Sequence, residues 1–337
     1  MPESLAFLVG VNNYLKADDG LGCLGGPSND CLRFSEWLVE AGGVDAANIV
    51  TLSHETDPFP DSGQTRARLR EFVESLDPDT LYDRLYFYFA GHGVANPNEI
   101  EHSLLCLSDW TKTWSDNAMA TVPAISFFRF LGVFKELVFL FDCCRTRYER
   151  ARMDNFITSN FPLGRHKDGS VFIAYSTAYS DEAKEVNFSG ESGVLEKRGV
   201  FTEVLLRGLR GAAANRQGIV DHASLGNYLT KEVDVEAQKR GFSQKPQWSV
   251  TFGGGAERIV FWAPEQIAYE IKLSLSGPGI FYLNDSDDQP LHTYNVDGLE
   301  IFTVSLRKGY YSLVRGSDQS DRIIRLPKDQ NQTFSFD

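Results

Sequence analysis

The chain of 337 residues has no apolar run approaching the about 18 residues of a membrane-spanning helix, so no transmembrane helix is expected. Cysteine is sparse. Cys23, Cys31, Cys106, Cys143 and Cys144 are odd in number and show no CxxC spacing, which argues against a disulfide framework and a zinc site. Five of the six histidines, His54, His102, His166, His222 and His292, show no ligand spacing either. Positive charge is in deficit: 33 Lys and Arg face 46 Asp and Glu, a net charge of −13. That balance argues against nucleic-acid binding through a basic surface and suits cationic substrates. There are no repeats and no low-complexity tracts. The stretch Leu5–Val11 is too short and wrongly flanked for a signal peptide, and the cysteine usage fits a reducing cytoplasm. No membrane partner is expected.

What is present is an ordinary globular composition, 42% hydrophobic and 23% charged. Short apolar runs alternate with helical patterns over the first 260 or so residues. Strands are expected at Leu5–Val11, Asn48–Ser53, Arg84–Ala90, Glu136–Asp142 and Ser170–Ser176. Their near-continuous hydrophobicity suits a parallel sheet covered on both faces. Cys31, Phe34, Trp37, Leu38 and Ala41 repeat at helical spacing behind Ser28, the expected cap. Leu69, Phe72, Val73 and Leu76 mark a second helix, and Pro123 suits the first turn of a third. Later helices are expected at Val200–Gly211 and His222–Arg240, followed by a closing pair of strands, Gln247–Phe252 and Glu257–Trp262. From about Pro264 the pattern changes. Short alternating runs separated by Gly, Pro and Asp suggest a small antiparallel β-sandwich over residues 266–337, beside an α/β domain over 1–263.

Two strand ends carry chemistry. Tyr86–Ala90 runs into Gly91-His92-Gly93, where the glycines let a histidine project. Leu137–Phe141 runs into Asp142-Cys143-Cys144. In open parallel sheets, sites gather at the carboxyl ends of strands. The 52-residue separation of His92 and Cys144 leaves room for one crossover between neighbouring strands. An imidazole can take a thiol proton and return it to a leaving amine. The N–H groups of Gly93 and Cys144 are candidates to stabilise the oxyanion.

With Pro27–Asp30, Tyr175–Glu185, Gly199–Thr202, Gly218–Asp221 and Gln244–Gln247, these motifs resemble the caspase-like cysteine peptidases. The likeness is to the metacaspase, paracaspase and prokaryotic orthocaspase branches and runs from about Leu5 to Trp262. The resemblance implies an α-β-α sandwich with a mostly parallel sheet. It implies Cys144, not Cys143, as nucleophile and His92 as its partner in a dyad. It also implies a pocket for a basic P1 side chain, with Asp142, Asp30 and Glu182 as its acids. The expected partners are protein substrates cut after Arg or Lys, with an upstream activating protease as one route to activity. Self-cleavage in Arg145–Lys167 or Gly190–Gly199 is the other. Prokaryotic relatives work in cell-death or antiviral systems. Calcium-dependent metacaspases use acids around the active-site loops; Asp109 matches one, but Ala151 stands near another. Calcium dependence is therefore unsupported, and no cofactor is expected. The competing readings are an inactive caspase-like scaffold and a hydrolase of small amides or esters.

Overall fold

The computed structural model describes residues 3–15, 21–54, 60–96, 103–149, 169–189, 195–262, 269–284, 290–306, 309–317, 321–326 and 333–336. The chain forms two compact units, Met1–Trp262 and Ala263–Asp337.

In the first unit the elements follow one another as β1 (Ser4–Gly10), α1 (Pro27–Glu40), β2 (Ile49–Ser53), α2 (Ser62–Glu74) and β3 (Tyr82–Gly91). Then come β4 (Gly93–Ala95), β5 (Ser103–Cys106), β6 (Ala118–Ala120), α3 (Thr121–Leu131), β7 (Phe134–Cys143) and β8 (Thr146–Arg147). The unit closes with β9 (Ser170–Tyr175), β10 (Glu185–Ser189), β11 (Leu195–Gly199), α4 (Val200–Arg207), β12 (Val220–Asp221), α5 (His222–Gln238), β13 (Gln247–Thr251) and β14 (Val260–Trp262).

Six strands form the central sheet in the order β13-β9-β7-β3-β1-β2. All pairs are parallel except β13 with β9. Side chains alternate across a strand, so each apolar run feeds two cores. Phe7, Val9, Phe87, Phe89, Phe139 and Phe141 pack on one face with α2 and α3. Ala6, Leu8, Tyr86, Tyr88, Val138 and Leu140 pack on the other with α1, α4 and α5. This is why the strands read as unbroken apolar runs: both faces are covered. It is also the α-β-α sandwich expected from the sequence.

Three local expectations change. The cap of α1 is Gly26, with Pro27 at the first helical position, where a missing N–H costs nothing. Ser28 lies inside the helix, and its hydroxyl accepts from the His54 N–H at 3.2 Å. The α4 helix ends at Arg207 and passes into one wider turn, Gly208–Ala212, in which Gly211 takes φ +111°. The two closing strands do not pair with each other. β13 pairs with β9, and β14 pairs with β12. Trp248 and Phe261 both pack on Phe172, with ring centroids 6.0 and 5.1 Å away, so the core rather than the Gly253-Gly254-Gly255 stretch between the strands sets their pairing.

The second unit contains β15 (Tyr269–Leu275), β16 (Gly279–Asn284), β17 (Pro290–Val296), β18 (Glu300–Leu306), β19 (Gly309–Arg315), β20 (Asp321–Leu326) and β21 (Thr333–Phe336). They form sheets ordered β18-β15-β21 and β17-β16-β19-β20. Ile271, Leu273, Leu275, Phe281, Leu283 and Leu313 lie in its core. The pairing is antiparallel except for β15 with β21, which runs parallel. β17 and β21 were not expected from the sequence; their apolar residues are too few for a clear alternation.

Candidate active site

β3 and β7 are neighbours in register, with Gly91 opposite Cys143, so His92 and Cys144 emerge side by side at the carboxyl edge of the sheet. Gly93 is a glycine for a packing reason. A Cβ there would lie 2.7 Å from Cys143 Sγ and run into the Cys144 carbonyl. Both residues line one pocket of about 370 Å³. Asp30, Asp142, Glu182 and Glu185 line it too, with Leu21, Leu24 and Pro27 as its apolar wall.

His92 is held from three sides. Its N–H donates to the Tyr14 hydroxyl at 2.7 Å, and the two rings lie 4.8 Å apart. Its Nε2 lies 2.8 Å from the Gly22 carbonyl oxygen. A carbonyl only accepts, so that bond assigns the proton to Nε2 and leaves Nδ1 with its lone pair. Burial lowers the His92 pKa from its usual value, against the opposing effects of the Gly22 carbonyl and Glu185. Cys144 Sγ is engaged by Ala183, whose N–H donates to it at 3.3 Å and whose carbonyl accepts at 3.5 Å. Burial raises the Cys144 thiol pKa. Imidazole and thiol are thus both pushed toward their neutral forms. Cys143 is fully buried, with its backbone doubly hydrogen-bonded to the Ser176 hydroxyl.

The acids fall into two kinds. Asp30 and Asp142 are only 1% and 7% exposed. Asp30 Oδ2 accepts from the Gly199 N–H at 2.7 Å, while its Oδ1 is buried without a hydrogen-bond partner. Asp142 Oδ2 accepts from the Thr202 hydroxyl at 2.7 Å and the Thr202 N–H at 3.2 Å. A Cβ on Gly199 would collide with the Asp142 carboxylate and lie 3.1 Å from Asp30 Oδ2, so the glycine lets the two acids close around one backbone. Burial raises both pKa values: that of Asp142 reaches about 6, and that of Asp30 is raised by its burial and by the Asp142 charge beside it. Glu182 is exposed and paired with Lys184, whose hydrogen bond lowers its pKa.

Glu185 was not singled out from the sequence as a site acid. It is half-buried, and its carboxylate accepts from Gly25 and Gly26 N–H at 2.9 and 2.8 Å. A Cβ on Gly26 would meet Glu185 Oε2 at 3.2 Å and Asp30 Oδ2 at 3.3 Å, which puts these acids side by side. The only available signal was its place at the end of the Tyr175–Glu185 motif. The Gln244–Gln247 motif also acquires a physical reason. Buried Gln244 bridges the Ser176 carbonyl and the Lys184 N–H, clamping the loop that holds the thiol.

Two further expectations meet the structure. Asp109 is occupied by the N–H and hydroxyl of Ser62 at the start of α2, and no cluster of metal-ligating side chains occurs among the described residues. Of the basic residues expected in cleavable loops, Arg145 is buried, with Nε on Ser103 Oγ, Nη1 on Gln247 Oε1 and its guanidinium over the Tyr175 ring. Arg198 is 9% exposed in β11 and paired with Glu196 and Glu203. Arg150, Arg152, Arg165 and Lys167 lie outside the described residues.

A family model described as the caspase domain matches residues 3–253. A probable protease of a Desulfuromonadales bacterium is 30% identical over 253 residues, covering 68% of this chain and 30% of that protein. The chain therefore spans under a third of the length of that relative. Among solved structures, caspase-1 from Spodoptera frugiperda gives a TM-score of 0.49 at 15% identity, covering 78% of this chain and 91% of that one. The Drosophila initiator caspase Dronc gives 0.46 at 10% identity, covering 77% and 82%.

Proposed function

The chain belongs to the caspase-domain family of peptidases, and from that premise we propose that it is a cysteine endopeptidase cutting protein substrates after Arg or Lys. One observation carries this reading: the pocket that holds His92 and Cys144 also holds the buried Asp30 and Asp142 and the half-buried Glu185. Among the described lining residues the one Lys or Arg is Lys184, paired with Glu182 on the rim; outside the lining, Lys197 pairs with Glu185 at 3.2 Å and Arg33 lies 3.9 Å from Asp30 Oδ1. A cationic P1 side chain compensates such buried carboxylates, whereas an acidic one adds to their repulsion.

In this mechanism the His92 Nδ1 takes the Cys144 proton as the thiolate attacks the scissile carbonyl carbon. The N–H groups of Gly93 and Cys144 stabilise the oxyanion. The imidazolium returns the proton to the departing amine, leaving a thioester on Cys144. Water, deprotonated by the same imidazole, then hydrolyses the thioester. The Gly22 carbonyl stabilises the imidazolium by accepting from Nε2 throughout. Having both reacting groups in one pocket disfavours the inactive-scaffold reading. Activation is proposed to run through a cut in Arg145–Lys167 or Gly190–Gly199, by the enzyme itself or by an upstream protease; Arg145 and Arg198 are buried, whereas Arg147 and Lys197 are exposed.

The test is cleavage of a peptide library by wild type beside Cys144→Ala, with cut positions mapped by mass spectrometry. Cuts after Arg and, less often, Lys that vanish in the variant are expected. Efficient cutting after Asp or neutral residues overturns the pocket assignment, and cuts that persist in Cys144→Ala overturn the nucleophile.

A further inference from the structure

The Asp142 carboxylate is surrounded by elements that meet only in the folded chain. Thr202, in the first turn of α4, gives it both a hydroxyl and a backbone N–H. Behind Thr202, the hydroxyl of Tyr88 on β3 lies 2.8 Å from Thr202 Oγ1. An ionised carboxylate only accepts, and the threonine hydroxyl has one proton to give. Tyr88 must therefore donate to Thr202 while Thr202 donates to Asp142. The three residues form a directed relay from β3 through α4 to β7, buried at every step. In a low-dielectric interior each such bond polarises the next. The residue that opens this turn, Gly199, gives its N–H to Asp30 Oδ2. One helical start thus holds one oxygen of each acid, while Asp30 Oδ1 is buried without a hydrogen bond and has Arg33 Nη1 3.9 Å away.

We propose that Thr202, oriented by Tyr88, is a positioning residue for specificity: its hydroxyl fixes Asp142 as an acceptor for a cationic P1 side chain. The inference rests on the basic-P1 reading of the pocket and adds the device that makes its central acid usable at neutral pH. The groups facing Asp142 are Asp30 from α1, Glu185 from β10, Tyr88 from β3, Ser176 after β9, and Thr202. The neighbouring carboxylates disfavour a negative charge on Asp142, and the hydroxyl and N–H donors favour it. Thr202→Val keeps the branched shape but removes the strongest donor. Asp142 then keeps its proton to a higher pH and is neutral when the substrate arrives.

The experiment measures kcat/KM against pH for an Arg-P1 peptide with the full chain as wild type, Thr202→Val, Thr202→Ser and Tyr88→Phe. Cys144 alkylation by iodoacetamide, which has no P1 group, is measured in parallel. In Thr202→Val the acid limb moves up by about one pH unit, with a loss of about 5-fold at pH 6 and under about 3-fold at pH 8.5. Thr202→Ser restores the wild-type profile, and Tyr88→Phe shifts it the same way by less. Alkylation rates stay at the wild-type level. A Thr202→Val profile that overlays wild type, or one that falls equally at every pH together with alkylation, overturns the inference. If Thr202→Val does not fold, an unmoved limb in Tyr88→Phe overturns it. A wild type that shows no preference for basic P1 overturns the pocket reading itself, and the inference with it.

Discussion

The rim and the base of the pocket are held in different ways. At the rim, the partners of His92 and Cys144 are mostly backbone: the Gly22 carbonyl and the N–H and carbonyl of Ala183. At the base, Asp30 and Asp142 depend on residue types that few others can replace: Gly199 for close approach, Thr202 for its hydroxyl and Tyr88 behind it. Burial acts on both regions alike and pushes all four groups toward neutrality. What differs is the remedy. In the proposed mechanism His92 and Cys144 become charged by passing a proton between them. The acid pair has Arg33 near it, with Nη1 3.9 Å from Asp30 Oδ1, and under the proposed function the substrate supplies the rest of its counter-charge.

The largest effect that tests this contrast is at the rim. Cys144→Ala is expected to lower kcat by at least about 10⁴-fold, since the nucleophile has no substitute. Cys143→Ala should keep most of the activity and lose about 1–2 kcal/mol of stability by denaturant unfolding, as expected for a fully buried small side chain. Activity that survives in Cys144→Ala and vanishes in Cys143→Ala would reverse the assignment.

Next comes the base. Asp142→Ala is expected to cost about 3 kcal/mol in kcat/KM for an Arg substrate, roughly 10²-fold, because the buried cation loses a partner. Iodoacetamide alkylation of Cys144 should be unaffected. A variant that slows both equally would merge the two regions into one functional unit.

The pH dependence sharpens the contrast further. Under the proposed function Asp142 binds a cation as carboxylate, and burial raises its pKa to about 6. Lowering the pH through about 6 therefore protonates it, and kcat/KM for an Arg peptide should fall about 10-fold per unit below that value. Raising the pH through the same value restores activity. In Asp142→Asn this limb should disappear, along with most of the activity. A limb that persists in the variant would belong to His92 instead.

The smallest effect is expected at Glu182. Its side chain is 56% exposed and already paired with Lys184, so Glu182→Gln should change kcat/KM by under about 3-fold. Glu185→Gln, deeper in the pocket, should cost more. The reverse order would place the specificity acid on the rim.

Much of this molecule was legible because local patterns report burial. The strands around Phe7, Phe87 and Phe139 read as unbroken apolar runs because helices cover both faces. The motifs ending in His92 and Cys144 stood out because reactive residues follow such runs directly. Loop geometry was less legible. The expected cap Ser28 lost to Gly26, and the expected hairpin of β13 and β14 lost to packing on Phe172. In the second unit, the parallel closure of β15 by β21 had no signal, because alternation marks a strand without marking its direction.

By itself the sequence determined the layered sheet and brought histidine, acid and thiols to adjacent strand ends, since apolar periodicity and chain continuity suffice for both. The tertiary structure alone decided which of the two loop acids lining the pocket is held beside Asp30. Glu182 and Glu185 stand three residues apart, and only the fold turns Glu185 onto the N–H groups of Gly25 and Gly26, 160 residues away in sequence. It also decided that Arg145 is an anchor rather than a cleavable residue, and that the Gly22 carbonyl orients His92. These assignments rest on long-range hydrogen bonds, many of them to backbone groups that every residue carries. No residue type announces such partners before the chain has folded around them.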